Sequence, residues 1–414
     1  MVLIASCVIN LCIGVLYTWS VFAGPMAEYI AQTTGITLTA ADLSIVFSVG
    51  NSTGFITMIG GGFLNQKIGP RWVIFTGGVL FGLGFVICGL SNSIGMLVVG
   101  YGLFSGLAMG LAYGCTISNS VKFFPDKAGL VGGIATASYG ISSVILPPIA
   151  NILIDVFGVN KAFMFLGVFI IVAVGIYSQF IIKCPDGFVP EGYAAKENKV
   201  SEQGSTEDKN WKEMLCTPAF YIMIIMLFFG AVLGMMVVIS QASNIAQTMI
   251  GMSAAEAAII VSVLALFNTF GRIFAGMISD RIGCINTLSC VYVAAAAAMG
   301  ILYMSAGGSV VLFYIGVCLT GACFGSLMGV YPGFTAGRFG ARYSSVNYGI
   351  MFIGFNAAGL LGPIIVSNVF GKNGIYQPVF VIALVFAVIG LILSIAFRKL
   401  SVKNPENAEM RQQA

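Results

Sequence analysis

The stretch SVLALFNTFGRIFAGMISDR, residues 262–281, decides how the rest of the chain is read. Its inner part is apolar enough to lie in hydrocarbon, yet Arg272 stands in the middle of it. Eight residues further on, the run ends in Asp280 and Arg281, a charged pair that belongs in water or among lipid headgroups. At a helical rise of about 1.5 Å per residue, Arg272 lies about 12 Å deeper than Asp280. That is close to the midplane of a hydrocarbon core about 30 Å thick. A guanidinium there costs about 2.5–3.5 kcal/mol on insertion scales, and it cannot escape by losing its proton. Something must compensate it, and no other residue expected to lie deep in the chain is charged.

Outward from this stretch the chain has the same character. It is 58% hydrophobic and 8% charged, against about 25% charged in a soluble domain. Uncharged runs of about 20 residues recur, the pattern of spanning helices. An all-α membrane protein follows, because backbone polar groups in lipid must be satisfied within each span; a β-barrel would need short alternating segments instead. The net charge of +4 comes from scattered basic residues rather than a patch, so nucleic acid is not an expected partner. There is no histidine, which removes His-based metal sites, Ser-His-Asp triads and histidine proton relays. The ten cysteines form no CxxC pair and are read as small apolar packing residues. No cofactor or metal is expected. Met1 leads straight into an apolar run too long for a cleaved signal, with no basic segment before it. The native chain is therefore expected to begin a few residues earlier.

Twelve spans are expected, at about 2–27, 41–64, 72–91, 95–120, 128–157, 161–182, 217–247, 254–278, 285–306, 309–335, 344–370 and 375–397. One long polar segment interrupts them and is read as a flexible linker. The expected organisation is a six-helix bundle over 1–183, a linker over 184–214, a second six-helix bundle over 215–398 and a tail over 399–414. The two halves repeat. Residues 62–69 read GFLNQKIG and residues 276–283 read GMISDRIG, matching places after spans 2 and 8. Such repeats are a construction of secondary transporters, with a substrate site near the midplane.

Of the 19 basic residues, 16 fall in the loops after even-numbered spans, the linker or the tail. By the positive-inside rule these, and both termini, are cytoplasmic. Span 4 carries Gly102, Gly106, Gly110 and Gly114 at four-residue spacing, one helix face suited either to rocking or to static close packing. Leu146-Pro147-Pro148 and Pro363 are candidate kinks. Gly82-Leu83-Gly84 lies inside a span and is no phosphate loop.

The duplicated loop resembles the signature of the major facilitator superfamily, with Asp280, Arg281 and Gly283 in the second copy and Gln66 where the first copy usually has an acid. Residues 16–20 (LYTWS), 122–129 (KFFPDKAG), 268–272 (NTFGR) and 347–349 (NYG) resemble the oxalate:formate antiporter family, to which monocarboxylate transporters are related. The resemblance covers nearly the whole chain. It implies that Arg272 binds a carboxylate, and that Tyr17, Tyr113 and Tyr139 line the pocket. It also implies that Phe324 and Phe352 close that pocket. The family's oxalate exchanger has a second cation, a lysine, where this chain has Phe355. One cation would leave half of a dicarboxylate unpaired in a low-dielectric site. Related animal monocarboxylate transporters have an aspartate one turn before the arginine; here that position is Asn268, which orients Arg272 or belongs to a polar seam. Glu28, Asp42, Asp155 and Glu256 all fall near span ends, so no deep proton-carrying acid is expected. Asp280, Arg281, Lys67 and Arg71 are read as cytoplasmic gating charges.

The expected function is therefore secondary transport of small organic monocarboxylates of the pyruvate, lactate or formate type. A plasma-membrane carrier acting as a monomer is expected, with a small carboxylate as its solute. Exchange, proton linkage and simple facilitation stay open. An oxalate:formate-type dicarboxylate exchanger and a transporter-like sensor are the alternatives. For Arg272 itself the competing reading is a helix lock, satisfied by backbone carbonyls, Asn268 and tyrosine hydroxyls. An enzyme is not expected, since neither histidine nor a deep acid pair is available to build a catalytic group.

Overall fold

The computed structural model describes residues 1–39, 42–185, 188, 208–239 and 241–402. Of the expected linker, residues 186–187 and 189–207 lie outside the described residues, as do residues 403–414 of the tail. The chain is built from long helices: α1 (Val2–Thr34), α2 (Ser44–Ile68), α3 (Pro70–Gly89), α4 (Ile94–Lys122) and α5 (Pro125–Phe157), and α6 (Val159–Ser178). After the linker come α7 (Pro218–Val237), α8 (Ala254–Ile282), α9 (Cys284–Ser305), α10 (Val310–Phe339), α11 (Ser344–Asn373) and α12 (Gln377–Val402). No strand occurs among the described residues.

Eleven of these helices are long and apolar enough to cross a membrane. The expected second span, α2, is 25 residues long, ample for a bilayer at about 1.5 Å per residue. It falls short on composition, because Gly50-Asn51-Ser52-Thr53-Gly54 and Gly60-Gly61-Gly62 dilute its apolar residues. Of these residues Gly50, Gly54 and Gly61 are the ones that let another helix approach it closely. α5 runs through Pro147 and Pro148 without a break.

The duplicated loop has the same backbone in both copies. Gly69 ends α2 at φ 83° and ψ 163°, and Gly283 ends α8 at φ 88° and ψ 149°. A Cβ is poorly tolerated at positive φ, which is why both copies of the motif close on glycine. α8 begins with a capping box, Ser253 accepting from the Glu256 backbone while Glu256 accepts from Ser253. This fixes Glu256 at the start of the helix.

The chain divides into two compact units. The first holds Met1–Ser120, Ser138–Gly187 and Tyr348–Ile350; the second holds Val121–Ala137, Phe188–Asn347 and Met351–Ala414. The opening turns of α5 thus pack in the second unit, where an even split of the sequence would not put them. In the first unit the α4 glycine stripe lies on α2. A Cβ on Gly106 would meet the Gly50 carbonyl at 2.5 Å, and one on Gly110 would overlap the Gly54 carbonyl. Thr57 Oγ1 donates to the Leu107 carbonyl at 2.6 Å across this seam. Without a hydrophobic drive between helices in lipid, such backbone approach and interhelical bonds hold the pair.

The second unit repeats the device. α10 carries Gly321, Gly325 and Gly329 against α8, where added Cβ atoms would run into the carbonyls of Leu264, Asn268 and Arg272. α8 and α10 pair along much of their length. The last residues of the linker are pinned here: Lys209 N donates to the Phe339 carbonyl at 2.9 Å, and Asp208 accepts from Arg342 N at 3.1 Å.

Candidate functional site

Arg272 is 4% exposed, and it is the one charged side chain among the buried described residues. Its position is set from two sides. The glycines Gly329 on α10 and Gly133 on α5 both lie against the Arg272 carbonyl, so tightly that a Cβ on either would overlap it. The side chain is then oriented by two hydrogen bonds. Nε donates to Asn268 Oδ1 at 3.0 Å, one turn back on α8, and Nη1 donates to the backbone carbonyl of Thr136 on α5 at 2.7 Å. Both acceptors are neutral. Among the described residues no carboxylate pairs with the guanidinium, and its remaining N–H groups have no protein acceptor. A buried cation with spare donors on a planar fork matches a carboxylate in both charge and shape.

The other expected pocket residues fall into two clusters. In the first unit Tyr139 stands between Tyr17 and Tyr113, with ring centroids 5.1 Å and 4.9 Å away. In the second unit Phe355 stacks between Phe352 at 4.7 Å and Phe324 at 6.0 Å. Gly234 on α7 leaves room for this group, since a Cβ there would overlap the Phe324 ring. The position of interest for a second cation is thus part of an aromatic stack. Glu28, Asp42, Asp155 and Glu256 are all exposed, and no acid is buried among the described residues. No group of residues suited to a metal ion occurs among them either.

The expected gating charges have different surroundings. Asp280 Oδ1 accepts from Gly129 N at 2.7 Å and Oδ2 from Leu130 N at 2.8 Å. Its carboxylate therefore sits on the first turn of the α5 helix, where free N–H groups and the helix dipole favour an anion. Arg71 Nε reaches the Ile181 carbonyl at 3.4 Å, while Lys67 and Arg281 are exposed. The sequence did not reveal the Thr136 acceptor or the α10 glycines. The former is a backbone atom on a distant helix; the latter have the same four-residue spacing as those of α4 and were open to the same reading.

Residues 9–363 and 244–414 match the profile of the Major Facilitator Superfamily. The chain belongs to that superfamily. As a facilitator it is a multi-pass membrane transporter and not an enzyme. It is 29% identical over 354 residues to the uncharacterized MFS-type transporter YhjX of Escherichia coli, covering 85% of this chain and 84% of the relative. It is equally 29% identical over 349 residues to the oxalate:formate antiporter of Oxalobacter formigenes, covering 84% and 79%. A shorter match, 33% over 107 residues, links it to human monocarboxylate transporter 11, over 26% of this chain and 23% of that one. Among solved structures, the proton:xylose symporter XylE superposes with a TM-score of 0.72 at 12% identity over 96% of both chains. FucP does so at 0.67 and 16% identity, over 97% of this chain and 99% of that one. At such identities the structural likeness speaks for the fold.

Proposed function

We propose that this facilitator carries small organic monocarboxylate anions across the plasma membrane by alternating access, with Arg272 as the carboxylate-binding group. The observation that carries this reading is a buried guanidinium that, among the described residues, is held by two neutral acceptors, Asn268 Oδ1 and the Thr136 carbonyl. Desolvating such a cation is costly unless an anion joins it, so the site favours binding of one negative charge. The aromatic stack of Phe324, Phe352 and Phe355 suits the short apolar remainder of a pyruvate- or lactate-sized solute. The family resemblance favours a contribution from Tyr17, Tyr113 and Tyr139 as well.

Anion binding neutralises Arg272 and so lowers the cost of moving it through a closed, dry intermediate; occupancy and movement are then linked. With no buried acid among the described residues, exchange of one anion for another is the simplest coupling, and a proton-linked carrier would have to bring its proton with the substrate. The basic residues favour cytoplasmic termini, and a carrier acting as a monomer is part of this reading. Likeness to the oxalate:formate antiporter favours a dicarboxylate exchanger as the second reading.

Uptake of labelled pyruvate into proteoliposomes, preloaded with pyruvate, lactate, formate or oxalate and run with or without an inward proton gradient, tests this. Acceleration by internal monocarboxylate supports exchange, and acceleration by the gradient alone supports proton linkage. Acceleration by internal oxalate above all others supports the second reading. No carboxylate uptake in any arm overturns the proposal.

A further inference from the structure

A cavity of about 430 Å³ lies in the second unit, away from Arg272 along the chain, between the helix Ala242–Ile250 and the far end of α11. One wall carries the amides of Gln241, Asn244 and Gln247; the other carries Ser367, Val366 and Phe370. Tyr376 closes one end, its ring stacked on Phe370 at 4.3 Å and its hydroxyl hydrogen-bonded to Thr248. Burial pushes the Tyr376 hydroxyl up, against a smaller downward pull from Thr248, so it stays neutral at physiological pH. No lining residue is charged.

The polar groups are only partly used. Asn244 Nδ2 approaches Gln241 Oε1 at 3.5 Å, and Gln247 Nε2 donates to Ser243 Oγ at 3.0 Å. The Gln241 amide N–H groups, Asn244 Oδ1, Gln247 Oε1 and the Ser367 hydroxyl have no protein partner among the described residues. Free donors and acceptors therefore both line the cavity, beside apolar Val366 and Phe370. An anion would find no cation there and a cation no acid, so either would lose hydration without compensation. A ligand with neighbouring hydroxyls, each both donor and acceptor, and a C–H face meets the whole lining. The volume is that of a small-molecule site.

We propose that this cavity is a second binding site, for a small neutral polyhydroxylated solute such as a monosaccharide or sugar alcohol, separate from the carboxylate site. Saturation-transfer NMR on the purified protein in lipid nanodiscs, with D-glucose and D-mannitol as probes and pyruvate in parallel, tests it. A saturable polyol signal is expected. Asn244→Leu and Ser367→Ala, one from each wall and both exposed, should each weaken it about fivefold, the effect of one lost hydrogen bond. Arg272→Gln should leave the polyol signal intact while removing that of pyruvate, so the two sites stand or fall separately. No saturable signal from either polyol, or a signal unchanged in both wall variants that elute as monodisperse protein, would overturn the assignment.

Discussion

Arg272 Nη1 donates at 2.7 Å to the backbone carbonyl of Thr136, so the one buried cation of the described residues is tied to a neutral acceptor on another helix. A carboxylate is the stronger acceptor for the same donor and would take over from Asn268 and Thr136 part of the load of solvating the charge. Removing the guanidinium removes that exchange. Arg272→Gln keeps a hydrogen-bonding side chain of moderate size, so the protein should fold. Transport should fall at least about a hundredfold, since bonds to a charged group contribute about 1.5–3 kcal/mol each. Arg272→Lys should recover little, because an ammonium lacks the planar fork. Pyruvate counterflow measured beside a thermal melt checks both; wild-type flux in a folded Gln variant would mean that Arg272 is only a helix lock.

On the proposed reading, Asn268 keeps Arg272 available to an anion. Its Oδ1 accepts from Nε at 3.0 Å, which holds the fork in place without cancelling its charge. Asn268→Asp would replace that dipole with a charge. The new carboxylate, beside a fixed cation, would have its pKa lowered and would be ionised at neutral pH. It should compete with substrate, so uptake relative to wild type should be depressed at pH 7. The deficit should shrink as the pH falls towards the pKa of the new acid and the carboxylate takes up a proton. A ratio of variant to wild-type uptake that does not change with pH would show that Asn268 does not face the binding charge.

Much of this arrangement is legible in the sequence, and for a physical reason. Lipid punishes every unpaired polar group, so uncharged runs mark the helices, and a charge inside one, Arg272, marks the candidate site. α2 is less visible because Gly54 and Thr57 serve helix contact rather than lipid contact, and that takes apolarity out of the run. The polarity of the Arg272 environment is hidden altogether: the Thr136 acceptor is main chain and any residue would supply it. The Phe352–Phe355–Phe324 stack shows in the sequence only as isolated phenylalanines, since α10 and α11 meet through tertiary packing.

The α10 glycines place the arginine. A Cβ on Gly329 would overlap the Arg272 carbonyl, so Gly329→Ala must push α8 and α10 apart. A Cβ on Gly300 of α9 would have nothing within 4 Å, and there the substitution only removes backbone freedom. Gly329→Ala should lower stability by about 1–3 kcal/mol, the usual cost of overpacking, and weaken pyruvate binding with it. Gly300→Ala should be neutral or raise stability by about 0.5–1 kcal/mol. Thermal melts of the two variants decide the matter, and equal melting points would show that the seam is not close-packed.

Asp280 holds the first turn of the α5 helix through Gly129 N and Leu130 N at 2.7 and 2.8 Å. An amide cannot accept both bonds, and its NH2 would face a backbone donor. Asp280→Asn should therefore cost about 1–2 kcal/mol locally. Hydrogen exchange at Gly129 and Leu130 should speed up about tenfold, with little change elsewhere in α5. Unaltered exchange at those two amides would remove Asp280 as a latch.

Phe355 tests the choice between one negative charge and two. Its ring lies 4.7 Å from that of Phe352 and 6.0 Å from that of Phe324, so the position is apolar and half-buried. Phe355→Lys would put an ammonium among aromatic faces, which tolerate a cation through their quadrupoles. The site would then hold two positive charges, and a single monocarboxylate would leave one unpaired. Oxalate should begin to compete with pyruvate uptake in the Lys variant, while the apparent affinity for pyruvate falls. Phe355→Leu separates charge from loss of the ring: it should weaken pyruvate modestly and give oxalate nothing. If oxalate competes as well in the Leu variant or in the wild type as in the Lys variant, the aromatic stack does not set the charge of the substrate.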